Sequence, residues 1–250
     1  MNSELQIHEE RNYLIVKANE IIQKARYDLS VSELKLISFI FSKVKPTDKE
    51  FCRYKFSIND YCRILGIEEN NGMNYKYIKQ TAEQIENKGF WLTLEDGRET
   101  FVRWINKTWI NPGSGKIEVR LDEDIQRFII GLISDYTQYS LLYVLPMKSS
   151  YSMRVYELLK SYAYQKTHTF DTDQLKKQLG VSEHYKNFKD FRKYVLEVAT
   201  KEINLYTDIE ISWEPITKGR KVIQVKFWIK TRDRNGKLLS ALNAQEALDG

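Results

Sequence analysis

Phe170-Asp171-Thr172-Asp173-Gln174-Leu175-Lys176-Lys177-Gln178-Leu179-Gly180-Val181 opens the stretch that decides the fold. Asp171 and Gln174 have the spacing of a capping box at a helix start, and Gly180 stands where a short helix stops and turns. A second helix is predicted over Asn187 to Asn204, with Phe191, Val195, Val198, Ala199 and Ile203 on one apolar stripe. Lys189, Lys193 and Thr200 fall on another side, with Arg192 near its edge. Two strands follow, Ile209 to Trp213 and Val222 to Ile229, joined through the basic turn Lys218-Gly219-Arg220-Lys221. Helix, turn, helix and basic-tipped hairpin make a winged helix-turn-helix, a unit that presents its second helix to the DNA major groove.

The same pattern occurs earlier in the chain. Phe56, Leu65, Gly66 and Ile67 match Phe170, Leu179, Gly180 and Val181, all at an offset of 114, and a capping residue follows each Phe. A helix over Tyr75 to Asn87, with Ile78, Thr81, Ala82 and Ile85 inward, parallels Phe191 to Ile203. Phe90 to Leu94 is matched with Ile209 to Trp213, and helices at Ser30 to Val44 and Ser150 to Tyr164 precede the two copies. Ser30 and Glu33 form a capping box for the first of these, and Pro46 ends it. The fold class is therefore α+β, two tandem winged helix-turn-helix domains related by an internal repeat. The expected boundaries are 12–146 and 147–232, with 233–250 a flexible tail.

Elsewhere, Met1 to Arg11 is expected to be loose and Asn12 to Ala18 a short strand or an extended lead. Glu95-Asp96-Gly97-Arg98 reads as a turn, Thr100 to Ile110 as a strand, and Asn111-Pro112-Gly113-Ser114-Gly115 as a turn into Lys116 to Leu121. This long hairpin, with Trp104 and Trp109, is expected to present a strand edge to a second copy. Gly113-Ser114-Gly115-Lys116 is not a phosphate loop, because that motif needs Gly at Ile110 and Ser or Thr at Ile117. Short helices are expected over Asp122 to Ile133 and Tyr139 to Leu145.

Charge is uneven. Residues 151–250 hold 18 Lys+Arg against 13 Asp+Glu, whereas residues 1–150 hold 21 of each, so the formal charge of +5 resides in the second half. A neutral half joined to a basic half fits one domain for protein contacts and one for a polyanion. Cys52 and Cys62 have no metal-ligand spacing, and a reducing cytoplasm suits them. The polar N-terminus rules out an ordinary signal peptide, and the most apolar run, Phe128 to Met147, is interrupted by Ser134, Asp135, Thr137 and Gln138, so no membrane span is expected. The histidines, His8, His168 and His184, form neither a paired metal site nor a His-x-x-Arg element, and no catalytic triad or carboxylate pair is legible. The chain reads as a DNA-binding protein without enzymatic activity or cofactor.

Asn12 to Asn19, Tyr151 to Leu159, Phe188 to Val195 leading to Glu202-Ile203-Asn204, and Lys218-Gly219-Arg220 together resemble the iteron-binding replication initiators of bacterial theta-replicating plasmids. The resemblance runs from about Asn12 to Thr231. It implies two winged-helix domains, monomers on directly repeated origin sites, and dimers that repress their own gene at an inverted repeat. It also implies host replication initiator and helicase proteins as partners, base reading in the second domain and backbone contacts from the first. A dedicated transcriptional repressor built from the same domains is the alternative.

The residues expected on DNA are Lys186, Lys189, Arg192, Lys193 and Thr200 of the second domain's helix and Lys218, Arg220 and Lys221 of its wing. Lys76, Lys79 and Gln80 of the first domain are expected on phosphates, with Arg98, Arg103 and Lys107 weaker candidates. Arg192 is the leading base reader, since a guanidinium bonds two acceptors of one guanine at once.

Overall fold

The structure is a computed structural model that describes residues 2–45, 48, 53–68, 71–94, 96–111 and 113–250. Pro46, Cys52, Glu95 and Pro112, used above as a helix stop, a thiol and turn residues, lie outside the described residues. The chain begins with helix α1 (Asn2–Arg11), strand β1 (Leu14–Ala18), α2 (Asn19–Lys24) and α3 (Val31–Ser42). Ser30 caps α3 through the reciprocal bonds of a capping box with Glu33. This helix is buried on nearly every side, Leu34, Leu36, Ile37, Phe39, Ile40 and Phe41 included, which makes it the spine of the first domain rather than an amphipathic surface helix.

Next come β2 (Arg53–Ser57), α4 (Ile58–Ile64), α5 (Asn71–Glu86), β3 (Gly89–Thr93), β4 (Glu99–Arg103), β5 (Ile105–Asn111), β6 (Lys116–Leu121) and β7 (Tyr136–Ser140). The second domain contributes α6 (Ser150–Ser161), β8 (Thr167–Asp171), α7 (Thr172–Gln178), α8 (Phe188–Phe191), α9 (Glu197–Tyr206), β9 (Ile209–Lys218), β10 (Lys221–Thr231) and α10 (Arg234–Asp249). Among the described residues no helix is long and apolar enough to cross a membrane.

The repeat is a repeat of backbone geometry. Both β2 and β8 run directly into a short helix capped by Ser57 or Asp171. Leu65 ends α4 at φ −81°, ψ −3°, and Leu179 ends α7 at φ −82°, ψ −4°. Gly66 and Gly180 then take left-handed φ values of 67° and 71°. The amides of Ile67 and Val181 reach back to the carbonyls of Cys62 and Lys176, each at 2.9 Å, which closes the same helix-ending turn twice. The four residues expected inward on α5, namely Ile78, Thr81, Ala82 and Ile85, are all buried.

Strand pairing corrects part of the alignment between the copies. The second domain's sheet has the order β8-β10-β9, and its counterpart in the first domain is β2-β6-β5. Phe56 pairs with Ile117 as Phe170 pairs with Val225. The partner of β9 is thus β5, not the Phe90–Leu94 segment, which forms an added hairpin β3-β4 between α5 and the wing. The strand expected over Thr100 to Ile110 is broken at Trp104, which turns its indole into the core at 1% exposure. Consequently Asn111 to Lys116 is the first domain's wing turn.

Other expectations change too. Tyr139 lies in β7, paired antiparallel with β1, and only Leu141–Tyr143 is helical, as a 3-10 turn. Residues Glu123–Phe128 are likewise a 3-10 turn. Met1 to Arg11, expected to be loose, forms α1 over the described residues, because Ile7 packs on the core and the Arg11 guanidinium is buried. The tail, expected to be flexible, is helical: Asp233 caps α10, and Ser240, Ala244 and Leu248 form a buried stripe along it.

Helix α6 joins the two domains. Its Arg154 donates to the carbonyls of Ala25 and Gln178 at 3.2 and 3.1 Å, and its Glu157 accepts from Lys17 at 2.5 Å and from Tyr139. Burial pushes the Glu157 carboxyl up, but Lys17, Arg154 and Tyr139 together more than offset it and hold it below the usual range. Removing Glu157 would leave the buried Lys17 and Arg154 cations without a carboxylate, a cost on the order of 3–5 kcal/mol.

Candidate nucleic-acid interface

The second domain's presented helix is continuous from Phe188 to Tyr206 but not uniform: α8 passes through a π-helical turn at Arg192–Leu196 into α9. Asn187 caps its start by accepting from the Asp190 amide at 2.8 Å. The inserted residue shifts the apolar stripe. Phe191, Val195, Ala199 and Ile203 are buried as expected, Leu196 joins them, and Val198 is only half-buried. Three consecutive residues, Arg192, Lys193 and Tyr194, face solvent. A π turn in a functional helix re-aims side chains in this way.

Most of the expected cations are displayed. Lys186, Lys189, Arg192 and Lys193 are exposed at and just inside the helix N-terminus. That end also carries the positive pole of the helix dipole, so backbone and side chains both attract phosphate. Arg192 Nε pairs with Glu197 at 3.2 Å, whereas Asp190 is engaged by the Asn187 side chain at 2.7 Å. Thr200 differs from the others: its hydroxyl donates to the Leu196 carbonyl at 2.7 Å and accepts from the Trp213 indole at 3.1 Å, which ties the helix to β9.

The wing stands beside α7, the helix that precedes this one. Gly219, at φ 62°, and Arg220 form the turn between the paired Lys218 and Lys221. Lys221 reaches Asp173 on α7 at 3.7 Å, while Lys218 and Arg220 make no ion pair among the described residues. Helix α7 in turn holds the start of the presented helix, since the Lys176 ammonium donates to the Lys186 carbonyl at 3.0 Å and lies 5.5 Å from the Phe191 ring centre. Burial pulls the Lys176 ammonium down from its ordinary range. The sequence reading missed Lys176 because a lysine beside Leu175 looks like an ordinary solvated charge.

In the first domain, Lys76, Lys79 and Gln80 are exposed along α5. Arg98 is held by Asp96 at 2.7 Å, Lys107 lies 5.3 Å from the Trp109 ring centre, and Arg103 is exposed. Lys116 was also missed. Its position at the end of the Asn111 to Lys116 turn corresponds to Lys221, and only the pairing of β5 with β6 reveals that this turn is a wing tip.

The two units match the two domain models of one family, described as initiator replication protein: the first winged helix (WH1) over residues 14–160 and the second (WH2) over residues 171–229. The chain belongs to this family. Among curated relatives, a replication initiation protein of Escherichia coli is 28% identical over 95% of this chain and 76% of its own length. An uncharacterized 27.6 kDa protein of Escherichia coli is 21% identical over 84% of this chain and 93% of its own. Among solved structures, the Pi initiator protein in complex with iteron DNA superposes with a TM-score of 0.72 at 19% identity. That match covers 89% of this chain and 99% of the other, and it establishes the common fold. The initiator family thus accounts for both halves of the repeat, and it is a family of replication initiators, not of catalytic enzymes.

Proposed function

We propose that this initiator binds direct repeats at a plasmid origin as a monomer and opens the adjoining duplex with host initiator and helicase proteins. The observation that carries the proposal is the exposed group Lys186, Lys189, Arg192 and Lys193 at the start of the Phe188 to Tyr206 helix, with the Lys218–Lys221 wing beside the preceding helix α7. In this reading the helix reads base edges in the major groove, and the wing cations hold phosphates. Lys76, Lys79, Gln80 and Lys116 give the first domain a weaker, sequence-independent grip. Strain in the duplex comes from binding energy, since bending a site costs on the order of a few kcal/mol, which added phosphate contacts offset. The cytoplasm is the compartment for this work.

A dimer that represses the initiator's own gene belongs to the same proposal, with its strand edge at the start of the expected Thr100 to Leu121 stretch rather than at its Lys116 to Leu121 arm. Ile117 and Val119 lie on β6, the central strand, and are buried. Trp104 is a core residue, and Trp109 is covered by Arg53, whose guanidinium carbon lies 4.5 Å from its ring centre. The free edge of β4 is the better candidate, because Phe101 on it and Trp91 opposite form an exposed aromatic pair with ring centres 5.3 Å apart. Exposed apolar clusters of this kind mark protein contacts.

Replication is the test. A plasmid carrying the gene and its flanking repeats should be maintained only while the gene is intact, and deletion should be rescued by the protein supplied in trans. Maintenance without the gene would favour a repressor with no origin role.

A further inference from the structure

Helix α10 connects two helix ends that belong to different domains. Just before its start Arg232 donates from Nη2 to the Asn204 carbonyl at 2.6 Å, and past its midpoint Asn243 donates to the Leu205 carbonyl at 3.2 Å, both at the C-terminus of α9. At its far end, Asp249 accepts from Arg11 Nη1 at 2.7 Å. The same guanidinium donates to the Ile64 carbonyl at 2.8 Å and the Arg63 carbonyl at 3.0 Å, at the end of α4. Carbonyls left over at helix ends need such donors, and a cation there also meets the negative pole of the dipole.

Contact with the first domain is close. A Cβ placed on Gly66 would lie 1.9 Å from the Leu248 carbonyl oxygen, so only glycine lets α10 seat against this turn. Gly66 is the turn that precedes α5, the first domain's presented helix. Ala244 and Leu248 are the buried face of α10, and burial pushes the Asp249 carboxyl up while Arg11, Gln245 and His8 more than offset it. The joint around α6 fixes the bodies of the domains; α10 reaches past it to the helix-turn itself.

We propose that α10 is a strap, with Leu248 and Asp249 as positioning residues, that sets α5 at a fixed offset from the α8–α9 helix so that both heads meet one DNA repeat as a rigid pair. The DNA half of this statement rests on the function proposed above.

Two measurements test it separately. Spin labels at Gln84→Cys on α5 and Lys201→Cys on α9, in a Cys52→Ser, Cys62→Ala background, report the distance between the heads without DNA. The full chain should give one narrow distribution. A variant ending at Asp233 should broaden it, and Asp249→Ala, which removes one half-exposed carboxylate and leaves Arg11 its two carbonyl partners, should broaden it part-way. Equal widths in all three overturn the strap. The second measurement uses a duplex selected from a random pool by the full chain, then remade with one base pair inserted between the two domains' footprints. The insertion should cost the full chain about tenfold in affinity and the variant ending at Asp233 less than about twofold. An equal penalty overturns the rigid pair. Failure of the full chain to select any sequence overturns the function proposal, and the label distances still decide the strap.

Discussion

Arg192 and Glu197 form an ion pair across five residues of one helix, Nε to Oε1 at 3.2 Å. In a regular α-helix residues five apart point well away from each other. The pair exists because the π turn sends the Glu197 amide back to the Arg192 carbonyl and stacks the two side chains. Both partners are about half-exposed, so the pair contributes little stability and is easily exchanged for another partner. Glu197→Gln should therefore leave thermal stability within about 0.5 kcal/mol of wild type and raise affinity for all duplexes. Base preference should not change. Melting curves and titrations on two unrelated duplexes check this, and a new base preference would mean that Glu197 itself contacts bases.

The wing and α5 are expected to act on phosphates. Lys218→Ala and Arg220→Ala should each weaken specific and scrambled duplexes alike, and flatten the slope of log affinity against log salt by about one unit. Lys76→Ala with Lys79→Ala should do the same by about two units. Salt titrations decide it, and a loss confined to the specific duplex would reassign the residue to base reading.

Dimer formation gives a third prediction. Phe101→Glu combined with Trp91→Glu replaces the exposed aromatic pair on β3 and β4 while leaving the strand register alone. Sedimentation should show a monomer that retains or exceeds wild-type binding to a single repeat. A dimer of unchanged strength would place the interface elsewhere.

Lys35 makes stability depend on pH. It lies on α3, and burial pulls its ammonium from 10.5 to about 8, with nearby Glu202 opposing the drop and Lys148 adding to it. Below pH 8 the folded state carries the full penalty of holding this charge. Between pH 8 and 10.5 the unfolded chain binds more protons than the folded one, so stability rises with pH through that window. Lys35→Met should melt higher than wild type at pH 7, and the gap should close as pH approaches 10.5. A gap that stays constant from pH 7 to 10 would contradict a half-buried, charged Lys35.

Much of the fold was legible because the repeat rests on local chemistry. Ser57 and Asp171 cap helices, and Gly66 and Gly180 take left-handed turns, whatever surrounds them. What was hidden depended on distant partners. That β5, not β3, is the counterpart of β9 follows from a break at the buried Trp104, which interrupts the expected strand without any Gly or Pro to signal it. The order of α10 comes from Arg11 and Gly66, both more than 180 residues away in the chain. At the interface, exposed cations at a helix start were readable from spacing. The π turn was not, because it adds one residue to an otherwise regular apolar stripe, and it is what pairs Arg192 with Glu197.

The central claim is that the second domain's helix reads sequence and that Arg192 does most of the reading. Competition titrations of wild type and Arg192→Ala, on the origin repeat and on a scrambled duplex of equal composition at several salt concentrations, test it most directly. Arg192→Ala should lose about 1–3 kcal/mol on the repeat, change little on the scrambled duplex, and show relaxed preference at one base pair. Equal losses on both duplexes would contradict it.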